Sequence, residues 1–146
     1  MQVNNQAHTQ SFLEYLKFEK RYSQHTIRSY QDDLTFFFDY LVITFGERAV
    51  PDIKSTFIRS WLAKQKEEGA SSKTLNRRIS TLRSFFKYQL RQQVITVSPM
   101  TTIVTPKQSK RLPVYVEQKD TEVLFQHVEF PDTWEGLMNK MILELL

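Results

Sequence analysis

Ser71-Ser72-Lys73-Thr74-Leu75-Asn76-Arg77-Arg78-Ile79-Ser80-Thr81-Leu82-Arg83-Ser84-Phe85-Phe86-Lys87-Tyr88 is the stretch on which the reading of this chain turns. Its apolar residues return at helical spacing, with Leu75, Ile79, Leu82, Phe86 and, just beyond, Leu90 on one stripe. Ser71 or Ser72 precedes the pattern as an N-cap, since a serine oxygen accepts from the free N–H groups of a first turn. The spacing predicts a helix reaching about Gln92. On a wheel of about 100° per residue, the side away from the stripe carries Lys73, Asn76, Arg77, Ser80, Ser84, Lys87 and Arg91, with Arg83 at its edge. Long cations suit phosphates, and short polar groups allow close approach. Asn, Ser and Arg can also read base edges in a groove wide enough for a helix. Arg78 falls nearer the core boundary, where its stem can pack.

Charge around this stretch is uneven. From Ala70 to Val116 there is no Asp or Glu, while nine bases occur: Lys73, Arg77, Arg78, Arg83, Lys87, Arg91, Lys107, Lys110 and Arg111. The other residues sum to −5, so the net +4 conceals the asymmetry. An acid-free basic block points to a polyanion, most often nucleic acid, with a solvated basic surface as the plain alternative.

Outward from that block the chain reads as helix nearly throughout, because glycine occurs three times, proline five times, and long periodic segments lie between them. A first helix is predicted over about Thr9 to Lys20, with Phe12, Leu13, Tyr15 and Leu16 on one face. A second starts after the N-cap Ser23, carries Ile27, Tyr30, Leu34, Phe37, Phe38, Leu41 and Phe45 as its core stripe, and stops at Gly46. Its tip, Ser23 to Arg28, offers free N–H groups to phosphate oxygens, and Thr26 and Arg28 are the candidate contacts there. Phe36 lies off the stripe. It is read as an extra packing residue, with an exposed contact to a neighbouring protomer as the alternative. After Pro51-Asp52, a third helix runs from about Ser55 to Glu68, burying Phe57, Ile58, Trp61 and Leu62, and Gly69 ends it. Val94 to Pro113, holding Pro99, Pro106 and Pro113, reads as a basic linker. Two more helices are expected over about Glu117–His127 and Thr133–Leu146, the last ending in mid-pattern.

Several functions are excluded. With no cysteine, disulfides and thiolate metal sites are impossible, and His8, His25 and His127 show no ligand spacing. No metal or other cofactor is expected. The polar N-terminus is not a signal peptide, and the longest apolar stretch, Phe36 to Phe45, is broken by Asp39 and Thr44. A cytoplasmic protein without a membrane partner follows as the expectation. There is no Gly-rich phosphate loop and no sign of a small-molecule substrate. Asp32-Asp33 and Glu67-Glu68 are adjacent and not face-sharing, so both read as solvated surface.

Three parts of the chain together resemble one family. Phe12-Leu13-Glu14-Tyr15-Leu16 with Tyr22-Ser23-Gln24-His25-Thr26-Ile27-Arg28-Ser29-Tyr30-Gln31-Asp32-Asp33-Leu34 is the first. The opening stretch, Ser71 to Tyr88, is the second. Ser98-Pro99, Pro106-Lys107 and Lys110-Arg111-Leu112-Pro113 form the third. In order and spacing these resemble the core-binding region of tyrosine recombinases of the phage-integrase and Xer type, across nearly the whole chain.

The resemblance implies an all-α fold. A four-helix SAM-like core-binding bundle would occupy residues 1–93, a basic linker 94–116, and the truncated helical start of a catalytic domain 117–146. The bundle would form half of a clamp on double-stranded DNA, with its second and fourth helices on the duplex. The implied contacts are Thr26, Arg28, Lys73, Thr74, Asn76, Arg77, Ser80, Arg83, Ser84, Lys87, Arg91, Lys107, Lys110 and Arg111. Other recombinase protomers on the DNA would be further partners. The family cuts DNA with a tyrosine nucleophile, aided by an arginine, a lysine, a His/Arg pair and a further His or Trp. None of these maps onto this sequence, so the chain itself is expected to be no enzyme. His25-Thr26-Ile27-Arg28 matches the family's H-x-x-R text but sits at a helix tip, far upstream of the family's pair, and Tyr30 lies on a core stripe. A stand-alone DNA-binding protein would use the same residues. A helical protein-interaction module, its basic face on an acidic partner, is the alternative from another class.

Overall fold

The computed structural model describes residues 5–108 and 118–145. Its helices are α1 (Asn5–Glu14), α2 (Gln24–Phe45), α3 (Ser55–Glu67), α4 (Ser72–Arg91), α5 (Gln118–His127) and α6 (Trp134–Glu144). A π turn, Tyr15–Glu19, prolongs α1, and a 3-10 turn, Val50–Asp52, precedes α3. The described residues contain no strand, and the all-α expectation holds. The first helix begins at Asn5, four residues before the expected Thr9, and widens into the π turn where regular α-helix was expected. The chain divides into two units, one through Gln108 and one from Ser109 onward.

The two long helices of the first unit start by the same device. Ser23 and Ser71 stand in extended backbone, and their Oγ atoms accept from the amides of Thr26 at 3.3 Å and Thr74 at 3.2 Å. Each pair also joins hydroxyl to hydroxyl, at 2.9 Å and 3.0 Å. Helices α3 and α4 end alike. The Gly69 amide donates to Lys66 O and that of Ala70 to Gln65 O; the Gln93 amide donates to Leu90 O and that of Val94 to Gln89 O. This double closure requires a left-handed residue at its centre. Gly69 supplies it at φ 88°, but at α4 the residue is Gln93, at φ 59°.

Helices α1 to α4 close on an aromatic core. Phe12 is fully buried and meets Phe85 edge-on at 5.5 Å, while Phe37 meets Trp61 at 5.2 Å. Such edge-to-face pairs add to simple burial because the positive rim of one ring meets the negative face of the other. The α4 stripe is wider than its expected five residues: Phe85, Thr81 and Gln89 are buried as well. Phe36 does not pack inward. It stays 57% exposed, with the Arg78 guanidinium 5.7 Å from its ring.

The stretch read as a linker also contributes to this core. Ile95, Met100 and Ile103 are buried with Trp61 and Phe86. Two side chains fasten its backbone from outside, Arg59 Nη2 donating to Thr102 O at 3.3 Å and Asn76 Nδ2 to Pro106 O at 3.0 Å. No helical period announces this packing, because irregular chain buries side chains one at a time.

In the second unit Thr133 caps α6, its Oγ1 accepting from Gly136 N at 3.2 Å. A Cβ on Gly136 would come within 1.9 Å of the Pro131 carbonyl oxygen, so only glycine fits there. Trp134, Met141 and Leu145 of this unit are exposed.

Candidate nucleic-acid interface

A charged joint between α2 and α4 sets the geometry of the basic face. Arg77 Nη1 donates to Asp33 Oδ2 and to Ser29 Oγ, both at 2.6 Å. Asp33 also accepts from Thr81 Oγ1 at 2.8 Å, and Arg78 Nε lies 3.7 Å from its other oxygen. Asp33 is 1% exposed, which corrects its reading as solvated surface. Burial pushes its carboxyl above the ordinary carboxylate value, and the Thr81 hydrogen bond and the charges of Arg77 and Arg78 pull the other way. Arg78 packs as its position suggested, between the rings of Phe36 and Trp61 and hydrogen-bonded to Gln65.

Beside this joint His25, Thr26, Ser29, Arg77 and Ser80 line one hollow of about 350 Å³. It brings the tip of α2 and the middle of α4 to a common surface. Along α4, Lys73, Ser80, Arg83 and Lys87 are exposed, and Ser84 is half-buried between them. Among the described residues no carboxylate forms an ion pair with Lys73, Arg83 or Lys87.

Other candidates are placed differently. The Thr26 and Thr74 hydroxyls are engaged in their helix caps. Arg28 lines a separate hollow with Lys17, Gln24 and Asp32, so it does not share the surface of Thr26. Asn76 is turned to the Pro106 carbonyl. Arg77 retains about half its exposure, but its Nη1 is committed to α2. Arg91 donates to the Tyr15 hydroxyl at 2.7 Å. Lys107 is exposed just past the Asn76 latch, and Lys110 and Arg111 lie outside the described residues.

Among the described residues there is no group of His, Asp and Glu side chains that could hold a metal, and no helix long and apolar enough to cross a membrane.

Comparison with known proteins decides the family. The family model described as phage integrase, N-terminal SAM-like domain, matches residues 9–93. This chain belongs to that family. It is 37% identical over 139 residues to tyrosine recombinase XerC of Bacillus subtilis (strain 168), a match covering 92% of this chain and 44% of the relative. Against the XerC of Pelotomaculum thermopropionicum it is 35% identical over 146 residues, 96% of this chain and 47% of the relative. The Listeria innocua XerC is 37% identical over 138 residues, 92% of this chain and 45% of the relative. The chain thus spans less than half the length of these recombinases. No solved structure matches it.

Within this integrase-type bundle, the residues that sequence reasoning missed are those that order the basic face. Asp33 read as solvated surface and Thr81 was given no role, and only their convergence across two helices marks them. Tyr15, assigned to the core, carries Arg91 on its hydroxyl. Lys20 and Tyr22, which no periodicity singles out, line a cleft with Ser84, Lys87 and Arg91. The signal that would have found Asp33 is the pair of arginines, Arg77 and Arg78, one helix away. Arg78 sits at the core boundary of α4 with Arg77 beside it, and a cation carried into a core is kept there by a paired anion.

Proposed function

We propose that this chain is the DNA-holding portion of a site-specific tyrosine recombinase, clamping a duplex through α4 and the tip of α2. The observation that carries the reading is the row Lys73, Ser80, Ser84 and Lys87, cationic and without acidic partners among the described residues, adjoining the hollow it shares with Thr26. A helix of this kind positions itself by phosphate contacts and reads bases with its short polar groups. Family membership and the XerC relatives support the recombination assignment. On this reading double-stranded DNA and further recombinase protomers are the partners, and the compartment is the cytoplasm. Residues 1–93 form the core-binding domain, 94–116 lead to the catalytic domain, and 117–146 belong to its first helices. Cleavage is the work of catalytic residues that have no counterpart in this stretch.

The test is fluorescence anisotropy on duplex DNA across a salt series, comparing wild type with Lys73→Ala/Lys87→Ala. Each phosphate contact adds about −0.9 to the slope of log affinity against log salt. The double substitution is expected to flatten the slope by about 1.8. A slope that does not move would redirect the basic face to an acidic protein partner.

A further inference from the structure

We infer that the cleft between the π turn and the second half of α4 seats one phosphate diester of the bound duplex, held by Lys20, Lys87 and Arg91. The inference rests on the duplex-holding function proposed above. It adds to α2 and α4 a third contacting element, the exit of α1.

The cleft encloses about 220 Å³ and is walled by Tyr15, Lys20, Tyr22, Ser84, Lys87 and Arg91 over buried Phe12 and Leu16. Its cations are crowded in a particular way. The Arg91 guanidinium lies 5.4 Å from the Tyr15 ring centre, and Lys20 Nζ lies 5.9 Å from the same ring. Each is attracted to the ring face, yet the two repel one another, and no acid lines the cleft. Burial, and then the charges of Glu19 and Glu14, push the Tyr88 phenol up, but neither acid lines the cleft. An anion entering the mouth would relieve the repulsion and receive charge-assisted hydrogen bonds from several directions.

The local backbone explains how Lys20 reaches this place. In the π turn the Lys20 amide donates to Tyr15 O at 3.1 Å, five residues back, and the Tyr22 amide donates to Leu16 O at 3.0 Å. Arg21 between them is left-handed, at φ 53°. The chain therefore doubles back over α4, and Lys20 and Tyr22 become two walls of one cleft. Widened turns of this kind are costly and collect at functional positions. Ser84 and Lys87 belong both to the cleft and to the outward row of α4, so the cleft continues that row.

The ligand chemistry is a phosphate oxygen, and it has two sources, a duplex backbone or free inorganic phosphate. The experiment uses the full chain in three arms. Lys20→Ala is compared with wild type in the duplex salt series, with its melting temperature measured alongside. The expected result is a slope flattened by about 0.9, with unchanged melting because Lys20 is exposed. Inorganic phosphate, against chloride at equal ionic strength, is expected to leave the wild-type melting temperature unmoved. Should Lys20→Ala leave the slope intact while Lys73→Ala/Lys87→Ala flattens it, the inference falls and the duplex-holding function stands. No binding by wild type overturns both. A phosphate-induced rise in melting temperature that Lys20→Ala abolishes, with an unaltered DNA slope, reassigns the cleft to free phosphate and overturns the duplex diester.

Discussion

Arg77 of α4 holds the buried carboxylate of Asp33 on α2 at 2.6 Å, and so ties together the two helices proposed to meet DNA. The bond couples the shape of the basic face to the stability of the core. It also makes Arg77 a poor probe of DNA contact alone, since removing it takes the shortest ion pair from a buried carboxylate.

The coupling is measurable by a double-mutant cycle in urea. Asp33→Ala should destabilise by about 3 kcal/mol, because Arg78 and Thr81 lose their partner inside the bundle. Arg77→Ala should cost less, about 2 kcal/mol, since Thr81 and Arg78 still serve the carboxylate. The two losses should fall well short of adding. Strict additivity would mean that the pair does not hold the helices together.

The same carboxyl gives a pH signature. Its folded-state value is raised by burial above the ordinary one, so the folded chain binds this proton more tightly than the unfolded chain. The stability it contributes is whole below the ordinary carboxylate value of about 4, and it drains away as pH climbs through the raised value. Asp33→Asn has no such proton. The difference in urea midpoint between wild type and Asp33→Asn should therefore be greatest in acid and shrink with rising pH. A difference that widens with pH would show the arginines outweighing burial.

Gln93 offers a gain. It occupies, at φ 59°, the left-handed position that Gly69 fills in the matching closure of α3. Gln93→Gly removes the Cβ penalty there and should stabilise by about 0.5–1 kcal/mol. Thermal melting tests it, and a lower melting temperature would indicate that the glutamine side chain contributes more than its backbone costs.

The serine caps should behave as a matched pair. Ser23→Ala and Ser71→Ala each remove the acceptor for a first-turn amide, and each should cost about 1 kcal/mol. A much larger loss at either site, read by chemical denaturation, would point to a role for that serine beyond its own helix.

Much of this architecture was legible from residue spacing. The ends of α2 were readable because Ser23 and Gly46 are residues with strong local reasons to sit there, and the α4 stripe was readable because Leu75, Ile79 and Leu82 repeat at the helical period. Three kinds of feature were not. The π turn at Tyr15–Glu19 keeps the same apolar residues and differs only in hydrogen-bond step. Asp33 hides beside Asp32, and only contacts from another helix separate a buried acid from a solvated one. Asn76 looked like a base reader because its wheel position is correct, but a backbone carbonyl thirty residues later occupies it. Wheel position predicts where a side chain starts, not what a distant segment brings to meet it.

The Asn76 latch and the burial of Ile95, Met100 and Ile103 separate two boundaries usually treated as one. The family match ends at residue 93, whereas the packed structure runs on to about Pro106. The family model is therefore shorter than the unit that folds, while the likeness to the XerC relatives runs on past both, over 92% and 96% of this chain. A graft of this bundle, cut where the family model ends, would lose Ile95, Met100 and Ile103 from the core they share with Trp61 and Phe86. Cut after Pro106, it would carry its own seal.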